Sequence, residues 1–136
     1  MNEVGGIHFE IPGEPIGKGR PRFVKATGRA FTPQKTRTFE AVVKDYGERA
    51  MGDRGPMEGP LRLILVACFL HPQSWSARKK EKTGWKTSKP DADNILKVMD
   101  ALNKVVWIDD AQLVDVRITK SYASRASLFV TVDPVE

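Results

Sequence analysis

Leu61-Arg62-Leu63-Ile64-Leu65-Val66-Ala67-Cys68-Phe69-Leu70 is nearly continuous apolar sequence, interrupted only by Arg62. Gly55, Pro56, Gly59 and Pro60 precede it as loop punctuation. Such a run reads as a central, buried strand. The flanking sequence supplies partners for it. On the N-terminal side, Ile7, Phe9 and Ile11 alternate with His8 and Glu10, the pattern of a half-buried strand ended by Pro12 and Gly13. Gly13 to Lys18 is turn-rich, and Arg22 to Lys25 with Arg29 to Phe31 reads as a short hairpin around Thr27 and Gly28. Thr32-Pro33 is a helix start, followed at helical spacing by Phe39, Val42, Val43, Tyr46 and Ala50, with Gly52 as the stop.

On the C-terminal side, His71 to Lys89 reads as a polar, partly mobile loop. Asp91 to Lys104 is expected to be the second helix and Val105 to Ile108 a short extended piece. Leu113 to Thr119 and Ala126 to Val132 alternate as two further strands, joined around Ser121 to Arg125. The expected architecture is α+β: a single compact domain over residues 1–136, with a mixed sheet and two main helices.

Composition narrows the function. Of the 136 residues, 40% are hydrophobic and 29% charged, which suits one soluble domain with an ordinary core. A single cysteine, Cys68, rules out an intrachain disulfide and points to a reducing, cytoplasmic setting. The N-terminal residues do not read as a signal peptide, and no run approaches the roughly 18 apolar residues of a membrane span. Lys and Arg number 22 against 17 Asp and Glu, a net +5, which favours a polyanionic partner.

The acids are unevenly placed. In Lys89-Pro90-Asp91-Ala92-Asp93-Asn94-Ile95-Leu96-Lys97, Pro90 suits a helix start. Ile95, Val98, Met99 and Leu102 then share the face that packs on the sheet. Asp93, Lys97, Asp100 and Lys104 form a stripe opposite. Asp91 converges with Asp93 only if it lies at or before the helix start, where the helix dipole favours its charge. Asp109 and Asp110 follow the extended piece, and a return of the chain would bring one of them beside Asp91 and Asp93. The bland alternative makes Asp91 a plain N-cap, Asp93–Lys97 a surface pair and Asp109-Asp110 a turn. An acidic cluster in a DNA-binding protein would repel the phosphates, and a divalent cation removes that conflict. Mg²⁺ takes hard oxygen ligands, so Asp91, Asp93 and Asp110 (or Asp109) are candidate ligands, with Lys97 placed to neutralise charge on a phosphoryl transition state.

Two basic runs flank this segment. Lys18, Arg20, Arg22, Lys25, Arg29, Lys35 and Arg37 have no acid among them; Arg78, Lys79, Lys80, Lys82, Lys86 and Lys89 are broken only by Glu81. Both are candidate phosphate contacts. Trp75 and Trp85 lie in the second run, either to stack on unpaired bases or to cover the core, and Trp107 reads as core. His8 and His71 lack zinc-ligand spacing, and no Walker-type glycine loop is present. A PD-(D/E)xK nuclease would need an acid-x-Lys pair, and the nearest, Asp115-Val116-Arg117, ends in arginine. The remaining rivals are a metal-independent nucleic-acid-binding module and an adaptor protein.

The order Asp91-x-Asp93-Asn94-x-x-Lys97, then Asp100-Ala101-Leu102-Asn103, then Asp109-Asp110-x-Gln112, resembles the RusA family of Holliday-junction resolvases of phages, prophages and bacteria. Gly17-Lys18-Gly19-Arg20-Pro21-Arg22 and Thr32-Pro33 resemble that family's opening. The resemblance implies a homodimer that binds four-way DNA junctions and nicks two strands symmetrically with Mg²⁺ or Mn²⁺. It implies Asp91, Asp93 and one of Asp109 or Asp110, with Asp110 favoured, as catalytic aspartates, and Lys97 as the catalytic lysine.

Overall fold

The computed structural model describes residues 5–19, 22–24, 26–31 and 33–136, with the backbone alone considered for 22–24 and 29–31. Its elements are β1 (Ile7–Pro12), β2 (Arg22–Val24), β3 (Arg29–Phe31), α1 (Gln34–Met51), β4 (Leu61–Phe69), α2 (Ala77–Lys82), α3 (Ala92–Val98), β5 (Leu113–Tyr122) and β6 (Ser127–Pro134). Short 3₁₀ turns cover Met99–Leu102 and Asp110–Gln112. The main sheet runs β1-β6-β4-β5 and β2-β3 form a separate hairpin, as expected. No helix among the described residues is long and apolar enough to cross a membrane.

β4 is central, as its sequence requires. It pairs antiparallel with β6 and parallel with β5. A parallel pair cannot be closed by a hairpin, so the chain must leave the sheet and cross over between β4 and β5. That crossover is residues 70–112, and the whole acidic segment rides on it. The mixed sheet thus lifts the candidate site onto one face.

The core lies on that face. Leu61, Leu63, Leu65 and Ala67 of β4, with Leu128, Val130 and Val132 of β6, are fully buried beneath Phe39 and Val43 of α1 and Ile95 and Val98 of α3. The apolar face expected of the second helix is present: Ile95, Val98, Met99 and Leu102 are all buried. Gly47 lets α1 approach the 99–102 turn, because a Cβ there would stand 2.5 Å from Leu102 Cδ2. On the opposite face Arg62, Ile64 and Val66 are only half-buried, so β4 is central but covered by helix on one side alone.

Three expectations change in detail. The 71–89 loop contains α2, capped by Ser76, whose hydroxyl accepts the Lys79 N–H at 3.1 Å. Ala-Arg-Lys-Lys-Glu-Lys carries no apolar period, so hydrophobic patterning does not reveal it. The second helix ends at Val98, not Lys104; it tightens into the 3₁₀ turn, and Lys104 takes a positive φ of 69°. Val105 to Ile108 is not an extended piece but a turn pinned by Met57 N–H to Val106 O at 2.7 Å. Thr32 as helix cap lies outside the described residues; α1 begins after Pro33 with no side-chain cap.

Candidate active site

α3 starts where Pro90 places it. Asp91 is the N-cap residue, extended at φ −70° and ψ 148°, and its carbonyl accepts the Asn94 and Ile95 N–H groups at 3.1 and 3.2 Å. Its carboxylate makes no capping bond. The plain-cap alternative therefore fails for this side chain: the position caps, but the carboxylate is exposed and takes no part in the cap. Asp93 and Lys97 form an exposed i,i+4 pair at 3.8 Å, which water screens heavily and a phosphate can open.

The two regions that resemble one family in sequence meet in space. The loop 15–19 docks on the start of α3, with Lys18 N–H donating to Asn94 O at 2.8 Å. A Cβ on Gly17 would lie 2.8 Å from Pro90 Cβ and 3.1 Å from Asn94 Cβ, so only glycine permits this approach. Gly19 N–H donates to the buried Thr36 hydroxyl at 3.0 Å, which ties the same loop to α1. The result is a cleft of about 760 Å³ whose lining includes Lys18, Lys35, Lys89 and Asp91. Lys120 secures the floor by donating to Ser88 O and Pro90 O, both at 2.8 Å.

Asp109 and Asp110 have different roles. Asp109 caps the 110–112 turn, and its carboxylate accepts the Ala111 N–H at 3.1 Å. Gln112 completes a capping box by accepting from the Ile108 and Asp109 N–H groups, and it donates to Met57 O and Gly59 O. The Asp-Asp-x-Gln spacing is thus the spacing of that box. Bonding from Ala111 holds the Asp109 carboxyl below its ordinary value of 3.8. Asp110 shifts the other way: the adjacent Asp109 carboxylate raises it, with partial desolvation and Asp100 adding to the effect. Asp110 is the member of the pair whose carboxyl faces other carboxyls and not a capping N–H.

The chain's return brings Asp110 to Asp100 and not to Asp91 and Asp93 as expected. Asp100 and Asp110 share a 160 Å³ hollow with Leu96, Met99, Trp107, Leu113 and Val116. Asp91 begins α3 and Asp100 follows its end, about 13 Å further along at 1.5 Å per residue. Accordingly, no three His, Cys, Asp or Glu side chains among the described residues are grouped to hold a metal ion. Asp100 is the acid that sequence reasoning left without a role, although it stands on the stripe with Asp93 and Lys97. In the same motif, Asn103 accepts the buried Trp107 indole N–H and so fixes the turn between the two acids.

The basic residues divide. Lys18, Lys35 and Lys89 line the cleft, although Lys18 also lies 3.8 Å from Glu40. Arg37 donates to Gln34. Arg78, Lys79, Lys80 and Lys82 lie on α2, where Lys79 stands 4.2 Å over the Trp75 ring. Lys86 donates to Ser88 and lies over Phe69 and Tyr122. Arg22 and Arg29 sit on the β2-β3 hairpin, while Arg20 and Lys25 are outside the described residues. Trp75 packs edge-on to Tyr122 and Trp107 is fully buried, whereas Trp85 is 67% exposed.

Residues 12–133 match the family model of the endodeoxyribonuclease RusA. The chain belongs to the RusA endodeoxyribonuclease family. It is also 32% identical over 141 residues to the uncharacterized protein YqaN of Bacillus subtilis (strain 168), spanning 95% of this chain and 96% of that one. RusA membership implies a hydrolase that acts as an endonuclease on Holliday junctions, and RusA resolvases generally depend on a divalent metal.

Proposed function

We propose that this RusA-family chain is a divalent-metal-dependent, structure-selective endonuclease that resolves four-way DNA junctions by paired symmetric nicks in recombination and repair, acting as a homodimer in the cytoplasm. The observation that carries the reading is the docking of the glycine loop 15–19 on Pro90–Asn94, which forms one cleft lined by Asp91 together with Lys18, Lys35 and Lys89. Three cationic side chains lining one cleft with an exposed carboxylate suit a phosphate held beside a bound cation.

The donor set fits Mg²⁺ or Mn²⁺. The available ligands are exposed carboxylate oxygens, and Mg²⁺ needs only one or two of them because waters and phosphate oxygens complete its shell. Asp91 and Asp93, at the start of α3, would hold it; Asp110, beside Asp100 past the other end of that helix, does not reach them within one chain. The bound cation supplies Lewis-acid stabilisation of the phosphoryl oxygens and activation of the attacking water. Lys97, already poised over Asp93, exchanges that pair for the phosphoryl charge. Lys18, Lys35 and Lys89 hold the flanking phosphates, and the two basic runs, including Arg20, Arg22, Lys25, Arg29, Arg37, Arg78, Lys79, Lys80, Lys82 and Lys86, extend the contact along the arms.

The test is a synthetic four-way junction and a linear duplex of the same sequence, each incubated with the protein with and without Mg²⁺ or Mn²⁺. Paired nicks in the junction alone, and only with metal, are expected. Binding without cleavage under either metal would make the protein a junction-binding module instead.

A further inference from the structure

β5 turns a lysine toward the helix-covered side of the sheet. Its register with β4 sets Val116 beside Leu63, Ile118 beside Leu65 and Lys120 beside Ala67, and those three β4 residues are fully buried. Successive side chains of a strand alternate between faces, so Lys120 shares the covered face with Val116 and Ile118. Ala67 is the smallest side chain that β4 buries on that face, and a small neighbour leaves room for the lysine stem. Holding that stem in one conformation costs rotamer entropy, and taking its charge partly out of water costs solvation. An apolar residue at 120 would avoid both costs, as Val116 and Ile118 do on the same strand.

What the lysine adds is control of the backbone before α3. Its ammonium donates to Ser88 O and to Pro90 O, both at 2.8 Å. Among the described residues no carboxylate oxygen lies within 4.0 Å of it. Charge-assisted bonds of this kind are stronger than neutral ones. The two carbonyls bracket Lys89 and immediately precede Asp91. Each peptide is planar, so a fixed Ser88 O fixes the plane that leads into Lys89, and a fixed Pro90 O fixes the plane that leads into Asp91. The same lysine's carbonyl accepts the Lys86 N–H at 3.0 Å, Tyr122 N–H donates to Gly84 O at 2.8 Å, and Lys86 Nζ donates to Ser88 Oγ at 2.9 Å. The approach to α3 is thus moored to β5 from Gly84 onward. Lys89 and Asp91 line the 760 Å³ cleft, whereas Lys120 is not among the residues that line it.

We infer that Lys120 is a positioning residue of the nuclease site: through the Ser88 and Pro90 carbonyls it aims Lys89 at the phosphate and Asp91 at the cation, and it touches neither itself. A lysine serves here because one ammonium can reach two carbonyls on either side of a residue, with a donor for each. The inference rests on the nuclease reading for its effect on cleavage; the clamp on residues 88–90 stands apart from that reading.

The test compares Lys120→Met, which keeps a stem but removes the charge and both bonds, with Lys120→Arg, which keeps charge and donors. Lys120→Met should bind a four-way junction as tightly as the wild type, yet nick it about 10–100-fold more slowly at saturating junction, the mark of lost positioning. Lys120→Arg should restore most of that rate. The Lys89 and Asp91 amides share peptide planes with the clamped carbonyls, and in Lys120→Met their ¹⁵N order parameters should fall from about 0.85 to below about 0.6. A folded Lys120→Met that nicks at the wild-type rate overturns the inference. Weaker binding with an unchanged saturated rate and a salt slope lower by about 0.9 also overturns it, since Lys120 would then be a phosphate contact. Binding, rate and thermal stability falling together would reduce Lys120 to a strut of the fold and overturn it as well. If Lys120→Met does not fold, Lys120→Gln, neutral but polar, is read in the same way. A wild type that nicks no branched DNA with Mg²⁺ or Mn²⁺ refutes the nuclease reading; the order parameters alone then decide the clamp, and unchanged values overturn it.

Discussion

Gly17→Ala isolates the contact that brings the glycine loop 15–19 onto the start of α3. The added Cβ would meet Pro90 Cβ at 2.8 Å and Asn94 Cβ at 3.1 Å. Neither neighbour can swing aside, since one belongs to a proline ring and the other is fixed to the helix backbone. The loop must therefore move outward by several tenths of an ångström, weakening the Lys18 N–H to Asn94 O bond at 2.8 Å. Overpacking of this kind costs about 1–3 kcal/mol. Loss of a glycine's freedom in the unfolded chain offsets about 0.4–1 kcal/mol of that. The net expectation is a loss of about 1–2 kcal/mol, which for a domain of this size lowers Tm by roughly 3–8 °C. Activity should fall by more than stability, because Lys18 is carried away from Asp91 and small displacements of positioning groups are costly. Thermal unfolding and junction nicking at a temperature where both proteins are folded measure the two effects. If Gly17→Ala unfolds within 1 °C of wild type and nicks at the wild-type rate, the loop–helix contact does not organise the site.

Asp110→Asn should raise Tm near pH 7–8. Asp110 has a folded value above its ordinary one, so its ionisation opposes folding; that penalty is absent below the ordinary value and grows as pH rises through the folded one. The gain should vanish near pH 4, and Mg²⁺ should stabilise the wild type more than the variant; an unchanged Tm across this range contradicts the Asp100–Asp109–Asp110 repulsion. Asn103→Ala leaves the buried Trp107 indole N–H without a partner, at a cost of about 1–3 kcal/mol. Chemical denaturation reads that loss, and an effect below about 0.5 kcal/mol would show that water replaces the amide. Arg20→Ala with Arg22→Ala should weaken junction binding and lower the salt slope by up to about 2, since each phosphate contact contributes about 0.9. A wild-type slope would remove that loop from the interface.

Much of the fold was legible because its signals are periodic. The apolar run 61–70 and the alternation of 7–11, 113–119 and 126–132 specify four strands; burial follows the pattern in β1, β4 and β6, whereas the apolar Val114 and Val116 of the edge strand β5 are exposed. What escaped was set by groups with no period. α2 is built from Lys, Arg and Glu around one capping serine, and the shortening of the second helix depends on how Asn103 and Trp107 meet. The paired aspartates illustrate the same limit. Sequence alone leaves Asp109 and Asp110 equivalent, and only the capping box separates them: Asp109 spends its carboxylate on Ala111, while Asp110 faces Asp100.

The convergence of Asp91, Asp93 and Asp110 failed as an expectation for a geometric reason. A return of the chain was counted on to close the site, but the return is committed to starting β5, and β5 lies parallel to β4. The crossover must therefore bring the chain back to the end of the sheet where β4 began. α3 runs down the crossover toward that end, so its first residues and the residues before β5 are kept apart by its full length. Within one chain no shift of a loop removes that separation without breaking the parallel pair. The same strand order that separates the acids places β5 at the edge of the sheet, beside the central β4 whose direction it shares.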